Sequence, residues 1–154
     1  QLCRCESIQV PKVPFKIYDR AELEAKYGSD WEAGIAEETT EPVWITNIPR
    51  EFYDFEDFNT GKWDNYDLFL PQFGEVLSGA KREYEYTKIL SKIERDQVKK
   101  DNYSLVLKMA KEGRLKPTAG AGIGMERLVG WISGVKHIAE CQPFPRVPGS
   151  VQEL

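Results

Sequence analysis

Apolar positions along this chain follow two rhythms. As far as about residue 80 they come in short runs cut by proline and glycine, whereas beyond it they recur every third and fourth residue. Pro42-Val43-Trp44-Ile45-Thr46-Asn47 is a β-rich run closed by Pro49, and Asn65 to Leu70 and Phe73 to Gly79 read as two further strands. Only Pro71 and Gln72 separate those two, which predicts an antiparallel pair. Tyr86, Ile89, Leu90 and Ile93 then trace one buried helical stripe. Tyr103, Val106, Leu107 and Ala110 repeat it, with Asp101 as cap and Gly113 as stop. Met125, Leu128, Val129 and Ile132 give a third stripe, stopped by Gly134. An earlier short helix begins at Asp19, a plausible N-cap with Glu22 three residues on, and ends at Gly28. Residues 1–14, with Pro11 and Pro14, read as an extended lead-in. The order predicts an α+β fold: a mostly antiparallel sheet flanked by helices, in one domain spanning 1–154.

Composition narrows the chemistry more than the fold. At 154 residues, 41% apolar and 30% charged, the chain has the make-up of an ordinary globular domain with a real core. No run approaches membrane-spanning length and the first residues lack a signal-like apolar stretch, so a cytoplasmic location is expected. Three cysteines form no intramolecular disulfide framework and lack zinc spacing. With His137 the only histidine, any chemistry falls to carboxylates, arginines, lysines and a hard metal. The net charge of −4 conceals an acidic stretch over 19–57 and a basic one over 88–116. The basic stretch suits either a polyanion such as RNA or, more plainly, the solvated face of a helical pair.

Three constellations carry candidate chemistry. In Gly120-Ala121-Gly122-Ile123-Gly124-Met125-Glu126-Arg127, alternate glycines leave one face of a strand bare, and an arginine stands at the mouth of the next helix. That suggests a nucleotide lying on the strand with Arg127 on its phosphates. The spacing is neither that of a P-loop nor that of a dinucleotide fingerprint. Glu75, in an apolar strand beside Asp67, suits magnesium held jointly with phosphates, Ser78 offers a hydroxyl, and Arg82 suits a substrate carboxylate. The same spacing equally fits Glu75 and Arg82 as partners of each other in a half-buried sheet. Phe52-Tyr53-Asp54-Phe55 reads as core more than as a ligand platform, and Arg146 in Pro143 to Gly149 as a surface or interface residue.

Together these segments resemble the C-terminal half of a class II aminoacyl-tRNA synthetase catalytic domain of the aspartyl/asparaginyl branch. Gly120 to Arg127 is similar to the third signature motif. Asp67-Leu68, Gly74-Glu75, Ser78-Gly79 and Lys81-Arg82-Glu83 resemble the metal and amino-acid strand. Val43 to Pro49, Phe52-Tyr53 and Phe144 to Gly149 fall in family order. Asn65-Tyr66-Asp67-Leu68, Gly74 to Gly79 and Arg82 to Tyr86 look most like the archaeal asparagine synthetase-related paralogues, while Ser78, Asp54 and Thr118 depart from the pattern usual in the tRNA-charging enzymes.

The resemblance implies AMP-forming, ATP-dependent activation of aspartate or asparagine, with ATP and Mg²⁺ as cofactors. Arg127 and Glu75 would be the catalytic residues, with Gly122 and Gly124 flooring the ATP pocket. Glu75 and Ser78 would hold the metal, and Arg82, Tyr53, Ser78 and Gly79 the amino acid. Asparagine synthesis with ammonia as acceptor is the leading expectation, tRNA charging its alternative, and a catalytically silent binding module a third. The family's first and second motifs, for the dimer interface and the α-phosphate arginine, have no counterpart here. The chain is therefore expected to be either the back half of a longer, homodimeric polypeptide or a degenerate paralogue, weakly active alone.

Overall fold

The computed structural model describes residues 10–135 and 137–142. Its centre is a five-stranded sheet built from β1 (Lys16–Asp19), β2 (Val43–Thr46), β5 (Asn65–Leu70), β6 (Gly74–Lys81) and β7 (Ala119–Ile123), in the spatial order β1-β2-β5-β6-β7. Only the β1–β2 pair is parallel. A small antiparallel ribbon, β3 (Glu56–Asp57) with β4 (Lys62–Trp63), stands apart from it. The mixed α+β architecture with a mostly antiparallel sheet is thus the one the sequence predicts.

Helix α1 (Arg20–Tyr27) starts where its cap requires: the Asp19 carboxylate accepts from the Ala21 N–H at 2.9 Å, and Gly28 ends it with φ +73°. A single 3₁₀ turn over Gly28–Asp30 leads into α2 (Trp31–Glu38), which the sequence pattern missed. Leu23, Trp31 and Ile35 of these helices bury against Val43, Ile45 and Phe69 of the sheet. Each such side chain contributes about 1.5–3 kcal/mol of transfer free energy.

A second core joins α3 (Tyr86–Arg95) and α4 (Ser104–Lys111) through Phe52, Ile89, Ile93 and Ala110. Asp101 does not cap α4, since the 3₁₀ turn Lys100–Tyr103 intervenes. Apart from Lys92, which is buried, the basic stretch lies on the outer side of this helical pair. Lys88, Lys92, Arg95, Lys100, Lys108 and Arg114 each pair with a carboxylate.

Helix α5 (Met125–Ser133) differs from its predicted burial, because Met125 and Val129 stay exposed. At Gly130 it comes close to Phe73 of the turn between β5 and β6. A Cβ there would lie 2.8 Å from the Phe73 ring, so Gly130→Ala is expected to cost about 1–3 kcal/mol, read as a lowered thermal midpoint.

Candidate active site

The site begins with an irregularity. Between β5 and β6 the register shifts, so that Phe69 pairs with Glu75 while Leu68 pairs with Leu77, leaving Val76 as an extra residue. Residues 75 and 78 lie three apart and would face opposite sides of a regular strand. The bulge returns Glu75 to the face that carries Ser78 and Asp67. The two carbonyls of the bulge hold the start of α5: Gly124 N–H donates to Val76 O at 2.8 Å, and Arg127 Nη1 donates to Glu75 O.

The glycines form a floor beside these groups. Gly122 is paired with Ser78 and Gly120 with Ala80, so the bare positions of β7 lie on the Ser78 face. A Cβ on Gly120 would stand 3.4 Å from Arg82 Nη2, one on Gly122 would meet nothing within 4 Å, and one on Gly124 would lie 3.7 Å from Arg127 Cδ. The floor therefore runs from Arg82 to Arg127, roughly 13 Å at strand spacing. Glu75 and Arg127 stand as a wall between two clefts. One, of about 550 Å³, is lined by Ser78, Gly122, Gly124 and Glu126; the other, of about 540 Å³, by Glu32, Glu37 and Gln72 of the α2 side.

Gly79 does not share this face. Its missing Cβ makes room for the Tyr66 ring, 2.7 Å away, on the opposite side, so only its backbone can reach an amino acid beside Ser78. The aromatic pair also divides. Phe52 is core, whereas Tyr53 is 41% exposed with the Arg82 guanidinium 5.4 Å from its ring centre. Glu75 and Arg82 are not partners, since Arg82 Nη1 donates to Asp54 Oδ1 instead. The 143–149 segment with Arg146 lies outside the described residues, as do Cys3 and Cys5. His137 is occupied as a local cap, its Nδ1 accepting from Ala139 N–H at 3.1 Å.

Sequence reasoning left half-buried Arg50 and buried Lys92 without roles. Arg50 pairs with Asp67, whose Oδ1 is buried without a partner beneath the Glu75–Ser78 face. Lys92, 1% exposed, donates to Glu83 Oε2 at 3.3 Å and to the Asp54 carbonyl at 2.5 Å. A lysine three residues from Ile89 on an apolar stripe was the available signal.

Burial pushes the Asp67 carboxyl up to about 6, with Glu75 adding to the rise and Arg50 and Ser78 opposing it. A carboxyl raised on folding holds its proton more tightly in the folded state. Its stabilising contribution is full below the ordinary value of 3.8 and is lost as pH rises through about 6. In metal-free buffer the chain should lose on the order of 2 kcal/mol across that window, a loss that Asp67→Asn flattens in melts taken at several pH values.

Among the described residues no group of three His, Cys, Asp or Glu side chains could hold a metal, and no helix is long and apolar enough to cross a membrane. The donors at Glu75 and Ser78, hard oxygens on one face beside an open floor, fit magnesium shared with phosphates.

Residues 5–148 match the family of class II tRNA synthetases (D, K and N), and the chain belongs to that family. It is 32% identical over 114 residues to asparagine–tRNA ligase from Mycoplasma mobile, covering 72% of this chain and 25% of that protein. Asparaginyl-tRNA synthetase from Pyrococcus horikoshii superposes with a TM-score of 0.77 at 29% identity, covering 92% of this chain and 38% of that one. The Entamoeba histolytica asparaginyl-tRNA synthetase bound to asparaginyl-adenylate shares the fold, with a TM-score of 0.83 at 22% identity over 99% of this chain and 40% of that one. The chain thus spans about a quarter of the curated relative's length and two-fifths of the solved structures'.

Proposed function

We infer that this chain is the C-terminal part of an ATP-dependent, AMP-forming catalytic core that activates asparagine or aspartate as an aminoacyl-adenylate. The observation that carries this reading is the bulge that brings Glu75 and Ser78 onto the face of a glycine floor ending at Arg127. On that floor ATP would lie over Gly122 and Gly124, with Arg127 against its phosphates and Glu75 beside them. Arg82, Tyr53 and Ser78 would hold the amino acid at the other end, with the Gly79 backbone alongside. Magnesium neutralises phosphate charge when bound, and Glu75 and Ser78 are the residues that would hold it.

The substrate carboxylate attacks the α-phosphorus in line, and pyrophosphate leaves. The chemistry requires no protein nucleophile, because alignment and fixed positive charge lower the barrier. Arg127 is well suited to the second task, being braced against the Glu75 carbonyl before any ligand arrives.

The relatives favour tRNA over ammonia as the acceptor, because those compared are asparaginyl-tRNA synthetases. The asparagine synthetase-related reading, which led on sequence alone, now stands second. The Ser78-Gly79 pair and Thr118, which depart from the pattern usual in tRNA-charging relatives, are what keep it. ATP–pyrophosphate exchange by the full native polypeptide tests the primary reading, with exchange dependent on asparagine or aspartate as the expected result. Absence of exchange with either would overturn it. Charging of tRNA set against ammonia-dependent asparagine formation then separates the two acceptors. A homodimer and a cytosolic setting accord with such an enzyme.

A further inference from the structure

The basic stretch divides at the start of α4. Before it, Lys88 sits beside Glu85, Lys92 beside Glu83, Arg95 beside both Glu56 and Asp96, and Lys100 beside Glu94. From Leu105 to Thr118 the balance changes, with Lys108, Lys111, Arg114 and Lys116 set against the single carboxylate of Glu112. Lys108 and Arg114 share that carboxylate at 4.0 and 3.5 Å, in exposed pairs that contribute little. All four cations are exposed, and the backbone holds them there. Gly113 turns the chain at φ +66°, and Arg114 N–H donates to Met109 O at 2.9 Å to close the helix end. Leu115 packs onto the α3–α4 core, which leaves its neighbours Arg114 and Lys116 in solvent. Pro117 stiffens the lead into β7, and Thr118 O accepts from Arg82 N–H at 2.8 Å. Lys116 is two residues from Thr118, within about 7 Å along the chain. The row of cations therefore ends beside the amino-acid end of the floor.

We propose that Lys108, Lys111, Arg114 and Lys116 form a phosphate-binding track for the acceptor stem of a tRNA, leading its 3′ end to the activated amino acid. This rests on the amino-acid-activating reading above, with tRNA as the acceptor. A nucleic-acid backbone needs only a row of exposed positive charge, because each neutralised phosphate releases condensed counterions. Such contacts set position and carry no sequence information. An acidic protein would need apolar side chains to anchor it at a desolvated centre. Over 105–118 the only large apolar side chain that stands out is Leu105, 68% exposed at the opposite end of α4 from the floor. Position favours RNA as well, since acyl transfer requires the terminal hydroxyl of the RNA at the amino-acid end. A track elsewhere on the α3–α4 pair would hold RNA without delivering it. Glu112 is the one opposing charge within the row, and it restrains Lys108 and Arg114 together.

The probe is a hairpin RNA carrying the acceptor stem of an asparagine tRNA and a single-stranded CCA end. It has no anticodon arm, so contacts near the catalytic core dominate. Its binding to the full native polypeptide is followed by fluorescence anisotropy at several salt concentrations, beside ATP–pyrophosphate exchange. The triple variant Lys111→Gln, Arg114→Gln, Lys116→Gln should weaken binding about tenfold or more and lower the log–log salt slope by about 2–3, with exchange unchanged. Glu112→Gln should tighten binding about several-fold, a gain that a purely structural role for these residues would not produce. Unchanged affinity and salt slope in the triple variant would overturn the proposal and leave the adenylate-forming reading intact. Displacement of the hairpin by polyglutamate as readily as by unlabelled hairpin would also overturn it, marking a surface for an acidic protein. No exchange by the wild-type polypeptide would sink the activation reading, and the delivery role proposed here with it.

Discussion

Replacing Arg127 by alanine in the full native polypeptide should lower kcat/KM for ATP–pyrophosphate exchange by roughly a hundredfold to a thousandfold, the range found when one fixed charge or donor is removed from a reacting anion. The arginine is braced by the Glu75 carbonyl at the junction of two clefts, so truncation removes both the charge and the wall between them. Glu75→Gln tests the other half of that wall. It preserves the backbone carbonyl that holds Arg127 and removes only the carboxylate, so a loss of similar size would assign the effect to the side chain. Its loss should appear as weakened Mg–ATP affinity in titration calorimetry as well as in turnover. Unchanged affinity in both variants would remove the nucleotide from this floor.

Lys92→Met should be the most damaging single substitution for stability, at about 3–5 kcal/mol. Lys92 and Glu83 are fully buried as an ion pair, and the same ammonium satisfies the Asp54 carbonyl. Removing it strands a carboxylate without its counter-charge. Glu83 Oε1 also accepts from the Tyr84 and Glu85 N–H groups at the start of α3, so the helix entrance depends on it. Melting should fall by on the order of 10 °C. The double variant Lys92→Met with Glu83→Gln should recover most of that loss, because the amide oxygen still accepts from those N–H groups and no charge is left buried. Failure to recover would mean that the ammonium contributes chiefly through Asp54, which would tie the stability of the fold to the Asp54–Arg82 pair.

Much of this was legible from the chain as written. The period of Tyr86, Ile89 and Ile93 became α3, the proline-separated runs became the β5–β6 pair, and Asp19 and Gly28 bound α1 as capping chemistry requires. Helix α2 escaped because its apolar residues, Trp31, Ile35 and Ala36, are spread among acidic ones that face solvent. Strand β1 escaped because it is a short edge strand paired with β2 across a helical crossover, a partnership with no local signature.

Among the site residues, type and order were legible: a carboxylate, a hydroxyl, two arginines and alternate glycines, each an evident candidate for phosphate or amino-acid chemistry. Side-chain direction was not. A strand pattern of period two sends Glu75 and Ser78 to opposite faces, and only the extra residue at Val76, seen in the pairing with β5, reverses Glu75. The same pairing turns Gly79 toward Tyr66 and away from the floor. Arg82 was open between Glu75 and a ligand, and the fold gave it a third partner, Asp54, twenty-eight residues away.

The glycine run that ends at Arg127 was chemically specified by the chain itself, because backbone bareness and a permanent charge are properties of residues. Whether it forms a floor, which groups look onto it, and which charges are already matched are properties of strand register and long-range pairing. Those were decided only when residues distant in the chain were packed against one another.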